Sequence, residues 1–118
     1  MSKDVVNIID LPGNKCFGCG HDNPHGLQIE LRIDEAGERI VGTFTPDEHM
    51  CGFPGIAHGG LVYTVLDCVG AWTASMLRPE RALWILRSSR VTYHSPAAPG
   101  DTLMLSGCLD ATGTDWRR

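Results

Sequence analysis

The chain has 118 residues, of which 42% are hydrophobic and 20% are charged, and this composition predicts one folded domain. The net charge of −4, without a run of Lys or Arg, argues against nucleic acid or an anionic membrane as the main partner. Residues 1–10 do not resemble a secretory signal. A membrane span needs about 20 consecutive apolar residues, and no segment approaches that length. The five cysteines show no disulfide-framework spacing, which favours reduced thiols and a cytoplasmic location.

The first part of the chain divides into an irregular segment and a hairpin. Residues 1–26 are rich in Gly and Pro without periodicity, so we expect an irregular N-terminal segment that wraps a single domain over residues 27–118. Apolar and polar residues alternate over 27–34, which predicts a half-buried strand. A polar turn at 34–38 precedes a second strand over 39–44, and the two strands form an antiparallel hairpin.

A long helix follows the loop that we predict over residues 45–57. Residues 61–76 contain no proline and place apolar side chains on nearly every face of a helix. Such a helix must be covered nearly all round, and in one small domain the cover is a sheet wrapped around it.

Two further strands are predicted after the helix, over residues 83–93 and from residue 101 onward. A hairpin turn over residues 112–114 would lead into another strand, so we expect the sheet to lack its last strands. The predicted order is strand, strand, helix, strand, strand, which makes an α+β domain.

Asp67 is the first candidate for a functional side chain, because it lies on a helix that is otherwise apolar or small. A carboxylate in such surroundings is costly unless it is paired, hydrated or used in chemistry such as general-base catalysis. Small residues recur around it at helical spacing and would let a ligand or a second backbone approach: Gly60, Thr64, Gly70, Ala71 and Ala74. The alternative is a structural carboxylate paired with a backbone group or an arginine.

The start of the helix is the second candidate, because the first backbone N–H groups of a helix lack intrahelical acceptors. Gly59 leaves its N–H accessible to a carbonyl oxygen that becomes negative during acyl transfer, although a plain loop-to-helix turn would also use glycine. Gly59 and Asp67 are eight residues apart, which separates them by about 12 Å along one helix. If both act on one substrate, the natural solution is a homodimer in which Gly59 of one subunit faces Asp67 of the other.

A C-x-x-C motif at Cys16 and Cys19 resembles half of a zinc knuckle and lacks a second pair. The residues that would complete four ligands are His21, His25, His49 and Cys51. We favour two buried thiols in a glycine-rich turn and predict no metal and no organic cofactor. The alternative, a small zinc-binding module, predicts stoichiometric metal and loss of folding on chelation.

Three segments resemble one known family, the hotdog-fold acyl-CoA thioesterases of the phenylacetate-degradation (PaaI-like) type. Residues 58–67, HGGLVYTVLD, are similar to the helix signature of that family. Residues 91–97, VTYHSPA, and the following Gly100-Asp101 look like its strand and turn after the helix. The opening CFGCG of residues 16–20, with Asn23-Pro24 and Gly26-Leu27, is similar to the start of a subgroup.

The resemblance implies a hotdog fold, in which an antiparallel sheet wraps one long central helix, and homodimers that often pair into homotetramers. It implies an acyl-CoA substrate and active sites between subunits. Carried over, the Gly59 N–H polarises the thioester carbonyl, Asp67 of the partner chain activates water or attacks directly, and His58 holds the helix start. The expected substrate-binding residues are Gly60, Gly52, Tyr63 and Arg90.

Two positions depart from the family pattern. Gly52 stands where some relatives place an Asn or Gln, and Leu86 stands where relatives often carry a Ser or Thr. The family also continues with further strands beyond residue 111, so the resemblance implies a C-terminally short domain. The lost polar groups keep a second function open, that of a non-catalytic acyl-thioester-binding domain.

Overall fold

The computed structural model describes residues 11–80 and 82–109. In this part of the chain, one helix packs against three strands, with a 3₁₀ turn at Glu48–Met50. The elements are β1 (Leu31–Ile33), β2 (Ile40–Phe44), α1 (Gly59–Leu77) and β3 (Leu103–Gly107). The strands form an antiparallel sheet in the order β1-β2-β3. One long helix on an antiparallel sheet is consistent with a partial hotdog fold.

The predicted hairpin is confirmed, with a shorter first strand than expected. β1 pairs with β2 through three residues, and the alternation of the sequence places Leu31 and Ile40 in the core, each fully buried. The strand does not extend back to residue 27 because Gln28 has a φ of 52°, which is not an extended conformation. The N–H groups of Leu27 and Ile29 instead donate to carbonyls of the N-terminal segment, at distances of 2.8 and 3.1 Å.

The predicted helix is confirmed. It begins two residues earlier and ends one residue later than the expected span of 61–76. It ends just before Pro79, which cannot continue a helix. Val65, Val69 and Trp72 pack into one core with side chains from all three strands. Contact with the sheet is close at Gly107 of β3, because a Cβ there would collide with the side chains of Thr73 and Val69.

The cover around α1 is less complete than the sequence predicts. The sheet covers one side of the helix and the N-terminal segment covers another, where a Cβ on Gly18 would collide with Cys68 Sγ. Leu66 remains 39% exposed on a side that neither covers.

By length and composition alone, α1 is long and apolar enough to cross a membrane, contrary to the expectation that no segment approaches a span. The core helix of a globular domain passes the same test. Because α1 packs on the sheet through Val65, Val69 and Trp72, this property is weak evidence for a membrane role.

The strand predicted over residues 83–93 is wrong, because the described residues of this segment form no ladder with any strand. Hydrophobic periodicity does not supply the neighbouring strand that a ladder requires. Side chains hold the segment instead, since the N–H of Trp84 donates to Ser75 Oγ at 3.0 Å and the Arg78 guanidinium stacks on the Trp84 ring. The strand expected from residue 101 is confirmed as β3, and the turn predicted at residues 112–114 lies outside the described residues.

Candidate active site

His58 organises the start of α1. Its extended backbone places it as the N-cap, where Nδ1 accepts a hydrogen bond from the Gly60 N–H at 2.8 Å. The His58 N–H donates to the Met50 carbonyl at 2.9 Å, which ties the helix start to the preceding loop. Gly52 of that loop packs on His58, since a Cβ at Gly52 would lie 3.4 Å from His58 Cα. The structure therefore brings His58, Gly59, Gly60 and Gly52 together.

Gly59 is the first residue of α1, and its N–H has no acceptor within hydrogen-bonding distance among the described residues. Its carbonyl accepts a hydrogen bond from the Tyr93 hydroxyl at 3.0 Å. The sequence predicted Tyr93 only as the end of a strand and did not indicate this contact. Its side chain is 56% exposed and anchors residues 89–93 to the helix start. The Tyr93 hydroxyl thus holds Gly59 through its carbonyl, while the Gly59 N–H remains available to an external acceptor.

Asp67 lies on the face of α1 that points away from the sheet. Val65 and Val69 are each two residues from Asp67, and two residues of α-helix turn the side-chain direction by about 200°. Because both valines are buried in the core, the half-buried Asp67 faces the opposite way. Gly60, seven residues before Asp67, is exposed on that face, whereas Ala74, seven residues after it, is fully buried within the chain. Asp67 and the Gly59 N–H are therefore not directed at a common point within one chain.

A groove of about 280 Å³ brings Tyr63 and Arg90 together. Its floor is the side of α1 that includes Leu66 and Val69, and its walls are residues 89–92 and the end of β3. The Tyr63 hydroxyl is hydrogen-bonded to Ser89 Oγ at 2.6 Å, while Arg90 is exposed at the rim. An apolar floor with a cationic rim suits an apolar chain attached to an anionic group.

A larger cavity of about 770 Å³ lies on the outer face of the sheet, between residues 24–32 and residues 41–50. None of the residues predicted for the site lines it.

Three thiols meet where the N-terminal segment crosses α1. The Sγ atoms of Cys16, Cys19 and Cys68 lie within 4.8 Å of one another. A hydrogen bond with Cys68, supported by donors on Trp72 and Asn14, lowers the pKa of the Cys19 thiol to about 5. The same bond, together with burial, raises the pKa of Cys68. Sequence reasoning found the first two cysteines but not Cys68.

The histidines and the cysteine proposed from the sequence to complete a metal site do not join this cluster. Within the described residues, the grouped ligands are the three cysteines alone, without His21, His25, His49 or Cys51. No sequence signal connects Cys68 to the C-x-x-C motif, because only the fold brings the helix under that turn.

One of the comparisons with known proteins gives a match. A family model described as the thioesterase superfamily matches residues 54–115, more than half of the chain. The matched range includes His58, Gly59, Tyr63, Asp67 and Arg90. No curated protein and no solved structure matches the chain significantly.

Proposed function

The chain belongs to the thioesterase superfamily, and on that premise we propose that it hydrolyses acyl-CoA, or a related acyl thioester, as a PaaI-like enzyme. The observation that carries this proposal is the Gly59 N–H, a donor without an intrachain acceptor among the described residues, at the positive end of a 19-residue helix. The His58 cap and the Tyr93 hydroxyl hold this donor in place before substrate arrives. Preorganised donors of this kind stabilise the oxyanion of acyl transfer.

In the proposed reaction, the substrate carbonyl oxygen accepts a hydrogen bond from Gly59 of one subunit. Asp67 of the partner subunit removes a proton from water while the water oxygen bonds to the carbonyl carbon. The carbon–sulfur bond then breaks, and the thiolate takes the proton from the carboxyl group, which leaves a carboxylic acid and a free thiol. Direct attack by the carboxylate, followed by hydrolysis of the anhydride, also requires Asp67.

A homodimer is the form in which these two groups can meet. Asp67 faces away from its own sheet, about 12 Å along α1 from Gly59. The exposed Gly60, which lies on the same face, allows a second chain to approach. Leu66 and Ile85, which are 39% and 90% exposed, supply apolar surface for a partner copy to cover. Such dimers would be able to pair further into tetramers.

The groove beside α1 is the proposed binding site for the substrate. The acyl chain would lie against Tyr63 in the groove, with Arg90 near the phosphates of CoA and with Gly60 and Gly52 close to the carbonyl. The proposed location is the cytoplasm, because the cysteine spacings show no disulfide framework.

The test is thiol release from short, medium and aromatic acyl-CoAs by the wild type and by Asp67→Asn. We expect turnover to fall by at least ~100-fold, the scale of a lost general base. Glu35→Gln, in the exposed β1–β2 turn, makes the same carboxyl-to-amide change and should keep wild-type turnover.

Equal turnover by Asp67→Asn and wild type would contradict the assigned role. A folded dimer that binds acyl-CoA thioethers but hydrolyses no thioester would instead indicate the non-catalytic binding domain.

A further inference from the structure

The cluster of Cys16, Cys19 and Cys68 plays no part in the proposed reaction, yet its geometry is that of a ligand set. Cys16 Sγ and Cys68 Sγ are 3.9 Å apart, and all three sulfurs lie within 4.8 Å of one another. Zinc–sulfur bonds of about 2.3 Å in a tetrahedron place sulfurs about 3.8 Å apart. The sulfurs therefore need to approach one another by about 1 Å at most to coordinate a common ion.

The turn that carries the first two cysteines is built around this cluster. The Gly20 N–H donates to the Cys16 carbonyl at 2.8 Å and closes the turn. A Cβ on Gly20 would collide with the Cys16 backbone, and a Cβ on Gly18 would collide with Cys68 Sγ. Both positions of this turn therefore require glycine for the sulfurs to meet. A loosely packed pair of thiols would not impose this requirement.

Neighbouring side chains already orient the sulfurs. Trp72 Nε1 donates to Cys19 Sγ at 3.3 Å, and the buried Asn14 directs its Nδ2 to the same sulfur at 3.6 Å. The Asn14 Oδ1 accepts the Cys16 N–H at 2.9 Å, so one amide side chain holds both ends of the motif. Donors of this kind surround the thiolate ligands of metal sites and fix their orientation.

We propose that Cys16, Cys19 and Cys68 bind one Zn²⁺ ion as three thiolates, with a water molecule in the fourth position. Cys16 is exposed while the other two cysteines are buried, so the open position faces solvent. The ion fastens the N-terminal segment to α1 at the residue next to Asp67. A disulfide would use two of the three sulfurs, whereas a soft divalent ion uses all three.

The test is metal binding by the full chain, reduced and handled without oxygen, with zinc content measured after saturation and gel filtration. We expect stoichiometric zinc in the wild type and in Cys108→Ser, which removes an exposed thiol outside the cluster. Zinc should fall to background in Cys16→Ser and in Cys68→Ser. Cobalt should give the absorption of a tetrahedral thiolate site in the wild type, and this absorption should be lost with the same two variants.

A conservative variant separates metal binding from folding. Trp72→Phe keeps a buried aromatic ring, although a smaller one, and removes the N–H that reaches Cys19, so we expect zinc affinity to fall by roughly 10-fold or more. Because Cys16 is exposed, Cys16→Ser should fold even if Cys68→Ser does not. The proposal is overturned if the saturated wild type holds no zinc, or if Cys16→Ser and Trp72→Phe bind zinc as the wild type does.

Discussion

Gly59 can be tested through its backbone alone, because proline fits the first position of a helix. The preceding His58 has ψ 132°, an extended conformation that proline accepts in its neighbour. A Cβ at Gly59 would lie 3.8 Å from Tyr93, an ordinary contact. Gly59→Pro therefore deletes the N–H with little other change, and we expect thioester turnover to fall about 100-fold to 1,000-fold.

Gly59→Ala is the matched control, since it adds the Cβ and keeps the N–H. Its turnover should stay near that of the wild type, with circular dichroism used to confirm that both variants fold. Equal turnover in the two variants would contradict the role of this N–H.

Residue patterns predicted local features but not contacts between distant segments. The glycines after His58 indicated the helix start, and the structure adds the cap between His58 Nδ1 and Gly60. The pairing of Tyr93 with Gly59 joins residues 34 positions apart, and Cys68 meets Cys16 across 52 positions. Neither contact leaves a trace in spacing, because it depends on how the segments pack.

Among the elements, the β1–β2 turn offers a pH-dependent test. Asp34 Oδ1 accepts the N–H groups of Glu38 and Arg39 at 2.9 and 3.1 Å, and the Glu38 bond in particular lowers the pKa of this carboxyl. A lowered folded-state pKa stabilises the fold above the unfolded value of about 3.9. This contribution is lost as the pH falls through the lower folded-state pKa.

Asp34→Asn keeps an oxygen that can accept both bonds but does not titrate. We expect the wild type to lose more thermal stability than Asp34→Asn between about pH 7 and about pH 3. The other carboxyl groups titrate in both proteins, so the difference between the two losses reports on Asp34 alone. The measurement is the unfolding midpoint of each protein across this range. A difference between the two midpoints that does not change with pH would contradict the assignment.

Periodicity predicted the elements whose partners are close in sequence. β2 follows β1 directly, so the alternation and the polar turn were sufficient to predict their pairing. The segment over residues 83–93 shows the limit of this reasoning, because periodicity does not determine whether a segment pairs with the edge of a sheet. Gln28 shows a second limit, since one residue with φ of 52° ends a pattern that alternation alone would continue.

In the proposed dimer, each reaction centre contains groups from two chains. The 19-residue helix keeps Gly59 and Asp67 apart, and the sheet under Val65 and Val69 turns Asp67 outward. A two-fold dimer would place each Gly59 opposite the Asp67 of the other chain. The separation was predictable from sequence because it follows from helix rise, whereas the outward direction required the packing.

The most direct measurement combines Gly59→Pro and Asp67→Asn chains in equal amounts by co-expression, followed by a thiol-release assay on acyl-CoA. Each mixed dimer would contain one centre with an intact Gly59 and an intact Asp67, so the mixture should regain roughly a quarter of wild-type turnover although each variant alone is inactive. A mixture as inactive as its two parents would contradict a centre shared between subunits.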